Sequence, residues 1–350
     1  MLVTKVNPHG GDIYKVKINY DFSSNVNPLG TPREVIEAVC EASSQLSAYP
    51  DPYCRKLRSL LSKKECVNEN HIICGNGAAD LIYLFAATLK PRKVLIVVPT
   101  FCEYEDSYRN TDTKIEYYQL DRKTQYQLSE HFLKQVNKEY QAIYLCNPNN
   151  PTGALIDSKL MHKIANRCLE LEIRLFVDEC FLDWTDQEQK DTVSTLICKN
   201  PYLFVIKAFT KSYGMAGVRL GYALCSDENF LSKMEEASQT WNVSTVAQMA
   251  GIKALSCRYF LEEAKQIVRI EREYLKTSLS KLNCVVYPGS ANYLLFESIA
   301  GLEQSLLKRG IKIRCCDNFY GLTKQHYRIA VKQHEENVIL IQNIKEMMYG

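Results

Sequence analysis

Ala208-Phe209-Thr210-Lys211-Ser212-Tyr213-Gly214-Met215-Ala216-Gly217-Val218-Arg219-Leu220-Gly221 is the stretch that decides how this chain is read. The run before it, 202–208, has the apolar, β-branched and aromatic content of a buried strand. It delivers one lysine into a segment of small residues, and an arginine follows in the next turn. A lysine at the end of an apolar strand is partly desolvated. That disfavours the ammonium, lowers the pKa and leaves a usable amine nucleophile. Such an amine can hold an aldehyde as a Schiff base, and a nearby arginine can clamp a phosphate with its fork of donors. A surface turn with an unrelated arginine fits the same residues, so the neighbouring segments have to choose.

Upstream, 174–177 reads as a strand ending at Asp178-Glu179. Before it, 142–146 is a buried strand running into Asn147-Pro148-Asn149-Asn150-Pro151-Thr152-Gly153. The strand 94–98 ends at Pro99-Thr100-Phe101, and 72–74 leads into Gly75-Asn76-Gly77-Ala78-Ala79-Asp80 and a helix over 81–89. Strand, small-residue turn and helix start make a ready anion site, because free N–H groups and the helix dipole face the ligand. The third spaced glycine of a dinucleotide fingerprint is missing. Further strands are expected at 115–119 and 219–225, and helices at 128–136 and 157–171. This alternation predicts an α/β protein with a mainly parallel sheet covered on both faces. Sites in such sheets gather at the carboxyl ends of strands. Phe101, Asn150, Asp178 and Lys211 all fall there.

The chain opens with His9-Gly10-Gly11-Asp12 and a turn-rich segment, Asp21-Phe22-Ser23-Ser24-Asn25-Val26-Asn27-Pro28-Leu29-Gly30. Thr31, Pro32 and Glu34 predict a capped helix over 31–47. Tyr49-Pro50-Asp51-Pro52 breaks the chain before a helix over 53–63. The last third is expected to be helical over 244–282, with strands at 285–287, 293–296, 311–314 and 327–331 and helices at 302–308 and 335–348. The expected division is an arm (1–30), a large domain (31–230) and a smaller C-terminal α/β domain (231–350).

Composition bounds the function. The chain has 350 residues, 46% hydrophobic and 24% charged, enough for a large core. Net charge is +3 with no basic run, so nucleic acid is not an expected partner. No apolar run approaches the roughly 20 residues of a membrane span. The first residues, Met1-Leu2-Val3-Thr4-Lys5, lack an apolar signal core. The 14 cysteines are scattered through apolar segments, where free cysteine behaves as a small hydrophobe. A reduced, cytoplasmic setting is expected. Cys315-Cys316 has no companion histidine, so no metal is expected.

Taken together, Gly75-Asn76-Gly77-Ala78-Ala79, Pro99-Thr100-Phe101, Asn147 to Gly153, Asp178-Glu179 and Lys211 with Arg219 resemble the fold-type I pyridoxal-phosphate enzymes, the aspartate aminotransferase superfamily. The resemblance covers essentially the whole chain and implies the aspartate-aminotransferase-like fold. It implies that Lys211 carries pyridoxal 5'-phosphate and later shuttles protons, and that Asp178 pairs with the pyridine nitrogen. Asn150 would donate to the ring's phenolic oxygen, and Phe101 would stack on the ring. Gly77, Ala78, Thr210 and Arg219 would cradle the phosphate. Tyr49 would reach the phosphate of a neighbouring subunit, which implies a homodimer with shared sites. Two departures stand out: Phe181 where a tyrosine is usual, and Ala208 where a hydroxyl residue often stands.

Within the superfamily, Tyr-Pro-Asp, Asn-Pro-Asn-Asn-Pro-Thr-Gly and the Tyr-Arg-Ile strand are similar to both histidinol-phosphate aminotransferases and threonine-phosphate decarboxylases. His9-Gly10-Gly11, the 21–30 segment, Pro288 to Leu295 and Ile313 to Leu322 look more like the decarboxylases of cobalamin biosynthesis. That resemblance implies decarboxylation of O-phospho-L-threonine to (R)-1-amino-2-propanol phosphate. His9, Asn27, Asn150, Arg314 and Arg328 would form the substrate pocket, two arginines suiting a substrate with carboxylate and phosphate. The alternatives are an aminotransferase acting on histidinol phosphate and a non-catalytic binding protein. Intact Lys211 and Asp178 argue against the last.

Overall fold

The computed structural model describes residues 9–349. The opening segment 1–8, on which the absence of a signal core was read, lies outside the described residues.

Seven strands form the central sheet: β2 (Ile72–Gly75), β3 (Lys93–Val98), β4 (Lys114–Gln119), β5 (Ala142–Cys146), β6 (Arg174–Asp178), β7 (Leu203–Ala208) and β8 (Gly221–Leu224), preceded in the chain by the short β1 (Tyr20–Asp21). The order is β2-β8-β7-β6-β5-β3-β4. From β7 to β4 every pairing is parallel, whereas β8 runs antiparallel to both β7 and β2. Parallel strands carry helices on both faces and must be apolar on both, and β5 is buried at every residue. The edge strand β4 carries Lys114 and Glu116 and leaves both its ends exposed, which blunts that edge.

Helix α1 (Arg33–Ala42) buries Val35, Ala38 and Ala42 on one stripe. α2 (Arg55–Glu65) does the same with Leu57 and Leu61. α3 (Ala78–Leu89) is apolar nearly all round. Its Phe85 ring packs 4.8 Å from Phe204 of β7 and 5.0 Å from Phe176 of β6. This aromatic packing aims the start of α3 at the carboxyl ends of the central strands.

The C-terminal part has its own antiparallel sheet, β12-β13-β10-β9, built from β9 (Val285–Val286), β10 (Tyr293–Glu297), β12 (Arg314–Cys315) and β13 (His326–Ala330). β1 pairs in parallel with β11 (Ile311–Lys312), so the N-terminal segment is tied to the C-terminal part of the chain. No described helix is long and apolar enough to cross a membrane.

Four expectations are corrected. The segment 244–282 is two helices, Thr245–Ala254 and Arg258–Lys281. The helix expected over 128–136 is one tight turn, Glu130–Lys134. The strand expected from 219 starts at Gly221, because Arg219 takes a left-handed backbone, φ +60°. Thr31 does not cap α1, since its hydroxyl donates to Gly214 O (2.9 Å) instead.

Candidate active site

A cleft of about 210 Å3 opens at the carboxyl ends of β5, β6 and β7. Its walls come from five places: the strand ends (Cys146, Asp178, Ala208), the start of α3 (Ala78), the loop after β5 (Asn150), the N-terminal segment (His9, Ser24, Asn25) and the antiparallel sheet (Arg314, Arg328). Lys211 projects into it from the single helical turn Phe209–Ser212.

The Lys211 amine is brought down to about 8, first by desolvation in the cleft and next by the Arg328 guanidinium; Arg219 adds to the effect. Asp178 and Cys180 pull the other way. Asp178 is 6% exposed, and burial raises its pKa. Two donors oppose that rise: Tyr104 Oη gives to Oδ2 (2.6 Å) and Cys180 N gives to Oδ1 (2.8 Å). The carboxylate is thus fixed at both oxygens, lines the cleft and lacks a cationic hydrogen-bond partner among the described residues.

On the opposite wall, Gly77 precedes α3 with φ +85°. A Cβ there would lie 2.5 Å from Arg219 Nη2, so only glycine admits the guanidinium against the helix start. The positive end of α3 lies beside Arg219, and Ala78, Arg219 and Thr210 line the same cleft. That arrangement suits a doubly charged anion such as a phosphoryl group.

Asn150 Oδ1 accepts from Arg328 Nη1. Arg328 Nη2 donates to Ser23 O (2.8 Å), while its Nε is buried without a partner among the described residues. Arg314 donates to Asn318 Oδ1 and lies over the Phe319 ring, 5.3 Å from its centroid. His9 Nε2 lies 2.5 Å from Glu103 Oε1, and its ring is 5.5 Å from that of Phe101. Tyr83 Oη donates to the other Glu103 oxygen (2.6 Å), so Glu103 fixes His9 from behind.

Two expected site residues lie elsewhere. Asn27 is 2% exposed and turned out of the cleft: its Nδ2 donates to Ser212 O (2.7 Å). Asn25, two residues earlier, lines the cleft instead, with its Oδ1 unpartnered among the described residues. Tyr49 is 77% exposed, stacked on Trp241 at 4.1 Å and absent from this cleft. Sequence reasoning missed Tyr104 as the Asp178 partner, and missed Ser24, Asn25 and Cys102 in the wall. The signal for Tyr104 was its place one helical turn beyond Phe101.

A family model described as aminotransferase class I and II matches residues 17–344. The chain belongs to the class I and II aminotransferase family. It is 33% identical over 335 residues to threonine-phosphate decarboxylase of Salmonella typhimurium, covering 94% of this chain and 91% of that protein. It is 35% identical over 345 residues to a putative threonine-phosphate decarboxylase of Caldanaerobacter subterraneus, covering 96% and 93%. Among solved structures it superposes on the histidinol-phosphate aminotransferase of Clostridium acetobutylicum with TM-score 0.88 at 28% identity, covering 94% of this chain and 99% of that one.

The class I and II aminotransferases work with pyridoxal 5'-phosphate, and the residues present fit that group. The Gly77 cradle and Arg219 suit its phosphate, Asp178 has no cationic hydrogen-bond partner to match a pyridinium, and Lys211 offers a near-neutral amine. The two departures are visible in place. Phe181 lies with its ring centroid 5.7 Å from Lys211 Nζ and presents no hydroxyl, and Ala208 lines the phosphate side without a donor. Each lacks a hydroxyl donor, and a hydrogen bond to a charged group contributes about 1.5–3 kcal/mol.

Proposed function

We propose that this chain decarboxylates O-phospho-L-threonine to (R)-1-amino-2-propanol phosphate. The observation that carries the proposal is a pair of arginines reaching one cleft from the same antiparallel sheet, with a depressed-pKa lysine facing them. Arg328 lies near enough to Lys211 to depress its amine, so it takes the carboxylate on the reacting carbon. Arg314, on the side of Cys102 and Phe319, takes the phosphate together with His9. Agreement with the two decarboxylase relatives over more than nine-tenths of each chain supports this reading.

When bound, pyridoxal phosphate supplies an electron sink for the pair left on Cα by the departing group. The protein's part is to hold that sink poised. Asp178 keeps the pyridine nitrogen protonated, with Tyr104 fixing the carboxylate. Asn150 orients the ring through its amide and is itself set by Arg328. Arg328 and Arg314 would fix the two ends of the substrate and thereby select which Cα bond is broken. Lys211 Nζ delivers the proton that takes the place of carbon dioxide at Cα.

One incubation tests this. Purified protein with O-phospho-L-threonine and no oxo acid should release carbon dioxide. O-phospho-L-serine should react more slowly, since a lost methyl changes discrimination by about 1–3 kcal/mol. Glutamate formed from histidinol phosphate and 2-oxoglutarate, with no carbon dioxide from either phospho-amino acid, would make the protein an aminotransferase.

The site is completed in a homodimer, in this reading. Leu46, Tyr49, Tyr53 and Trp241 leave an exposed apolar group beside the α1–α2 connection, and Tyr49 is pre-oriented by its stack on Trp241. Exposed aromatic anchors of this kind are what interfaces bury. Sedimentation should give a dimer, and Tyr49→Phe should lower cofactor retention without lowering the melting temperature of the cofactor-free protein. An active monomer at assay concentration would refute the shared site. The division into arm, large and small domains near residues 30 and 230 belongs to the same proposal.

A further inference from the structure

We propose that Asn27 and Asp183 are positioning residues for the Lys211 amine, gripping the backbone and the side chain of Ser212; this rests on the reading of Lys211 as the amine that carries the cofactor.

Lys211 stands in one turn of helix, Phe209–Ser212, too short to hold its own geometry. Three side chains from distant parts of the sequence hold it. Asn27 Nδ2 donates to Ser212 O at 2.7 Å, and its Oδ1 accepts from Leu29 N at 2.8 Å, so both ends of the amide are committed. Thr31 Oγ1 donates to Gly214 O. Ser212 Oγ, fully buried, donates to the Asp183 carboxylate. The backbone at Gly214 has φ +61°, and a Cβ there would lie 2.2 Å from Gly30 O. The 27–31 loop therefore lies directly on the lysine turn, and a side chain at 214 would lift it off.

Asp183 belongs to a charge cluster on the face of the sheet turned away from the cleft. Lys207 lines a small cavity on that side and is absent from the cleft, whereas Ala208 borders both. Lys207 Nζ is 2.8 Å from Glu65 Oε2 and 3.5 Å from Glu179 Oε2, and all three side chains are nearly buried. Tyr222 Oη donates to Glu65 Oε1 at 2.6 Å. A small cavity lined by Lys64, Glu179, Asp183 and Lys207 lies against Phe209 and Tyr213 of the lysine turn. Burial works to neutralise Asp183, but Lys64, the Ser212 hydroxyl and Lys207 together outweigh it and hold the carboxyl below its ordinary value. An ionised carboxylate makes the stronger, charge-assisted bond to Ser212. Neither Asn27, Asp183 nor Ser212 lines the cleft, so their influence runs through Lys211.

The two possible roles of Asn27 give opposite kinetics. A substrate ligand moves KM, whereas a positioning residue moves the turnover of the amine it places; a misplacement of 1 Å costs about 10^2-fold. The variants are Asn27→Ala, Asp183→Asn, Ser212→Ala and Ser212→Thr. Two quantities are read: kcat and KM of the holoenzyme with O-phospho-L-threonine, and the rate at which added pyridoxal phosphate becomes borohydride-fixable on Lys211. The first three variants should lose about 10–100-fold in kcat and slow capture by a similar factor, with KM within about threefold. Ser212→Thr keeps the hydroxyl and should return to within about threefold of the parent. A tenfold rise in KM for Asn27→Ala with capture unchanged overturns the proposal, as does equal behaviour of Ser212→Ala and Ser212→Thr. If Asp183→Asn does not fold, the two Ser212 variants decide, since they leave the charge cluster intact. Capture needs no substrate, so a wrong substrate assignment leaves that arm standing.

Discussion

Lys211→Ala is expected to remove both the covalent hold on the cofactor and nearly all turnover. The parent protein should be yellow as purified, and borohydride should fix the cofactor to one peptide, that of Lys211. The variant should give no labelled peptide. Loss of the proton-transfer group alone costs about 10^2–10^4-fold in rate, and the lost covalent attachment adds to that. The pH dependence follows from the same amine. With its pKa lowered to about 8, Lys211 is largely neutral above that pH, while an ordinary lysine stays charged to about 10.4. Capture of added cofactor should therefore be fast at pH 8 and above and slow as pH falls below it. A Lys211→Ala protein that still decarboxylates, or is still fixed by borohydride at another residue, would move the chemistry elsewhere in the cleft.

Arg328→Lys should give the second-largest loss. It keeps the charge but loses the fork, and at this position the fork is in use: one nitrogen reaches Asn150 and another reaches Ser23 O. A hydrogen bond made by a charged group contributes about 1.5–3 kcal/mol, so losing one costs roughly 10-fold to 150-fold in kcat/KM. The cofactor band should persist, because the phosphate end of the cofactor is held by Arg219 and the start of α3. Measured kcat/KM within threefold of the parent would show that Arg328 is a structural tie between the N-terminal segment and β13, and the carboxylate role would pass to Arg314.

The sheet was readable in the sequence because each buried strand is an apolar run closed by a turn signal, and those turns carry the chemistry. Phe101, Asn150, Asp178 and Lys211 came out together for that reason. Strand direction was not readable. Nothing in Gly221–Leu224 marks it as antiparallel, and Arg219 looked like a strand residue although its backbone is left-handed. The break at Leu255–Cys257 has neither glycine nor proline, so one helical pattern hid two helices. Asn25 and Asn27 share a loop whose spacing says they point the same way; the docking of that loop on Gly214 turns one to the cleft and the other to Ser212. Tyr49 is held within one chain only by its stack on Trp241, and nothing in its sequence neighbourhood signals that contact.

The reversed strand β8 also sets when the site can come into being. Gly221 pairs with both Gly75 and Ala208, and that double pairing sets Arg219 against Gly77, far away along the chain. On a ribosome adding roughly 5–20 residues each second, the cradle at the start of α3 waits many seconds for its arginine. The 27–31 loop waits longer still: it is emitted well before the Lys211 turn that it clamps and must stay available in the meantime. Arg328, in β13, arrives last of all. A nascent chain halted between β8 and β13 would carry Arg219, the start of α3 and Lys211 but not Arg328, and on the reading proposed above it could begin to hold cofactor before it could recognise a substrate.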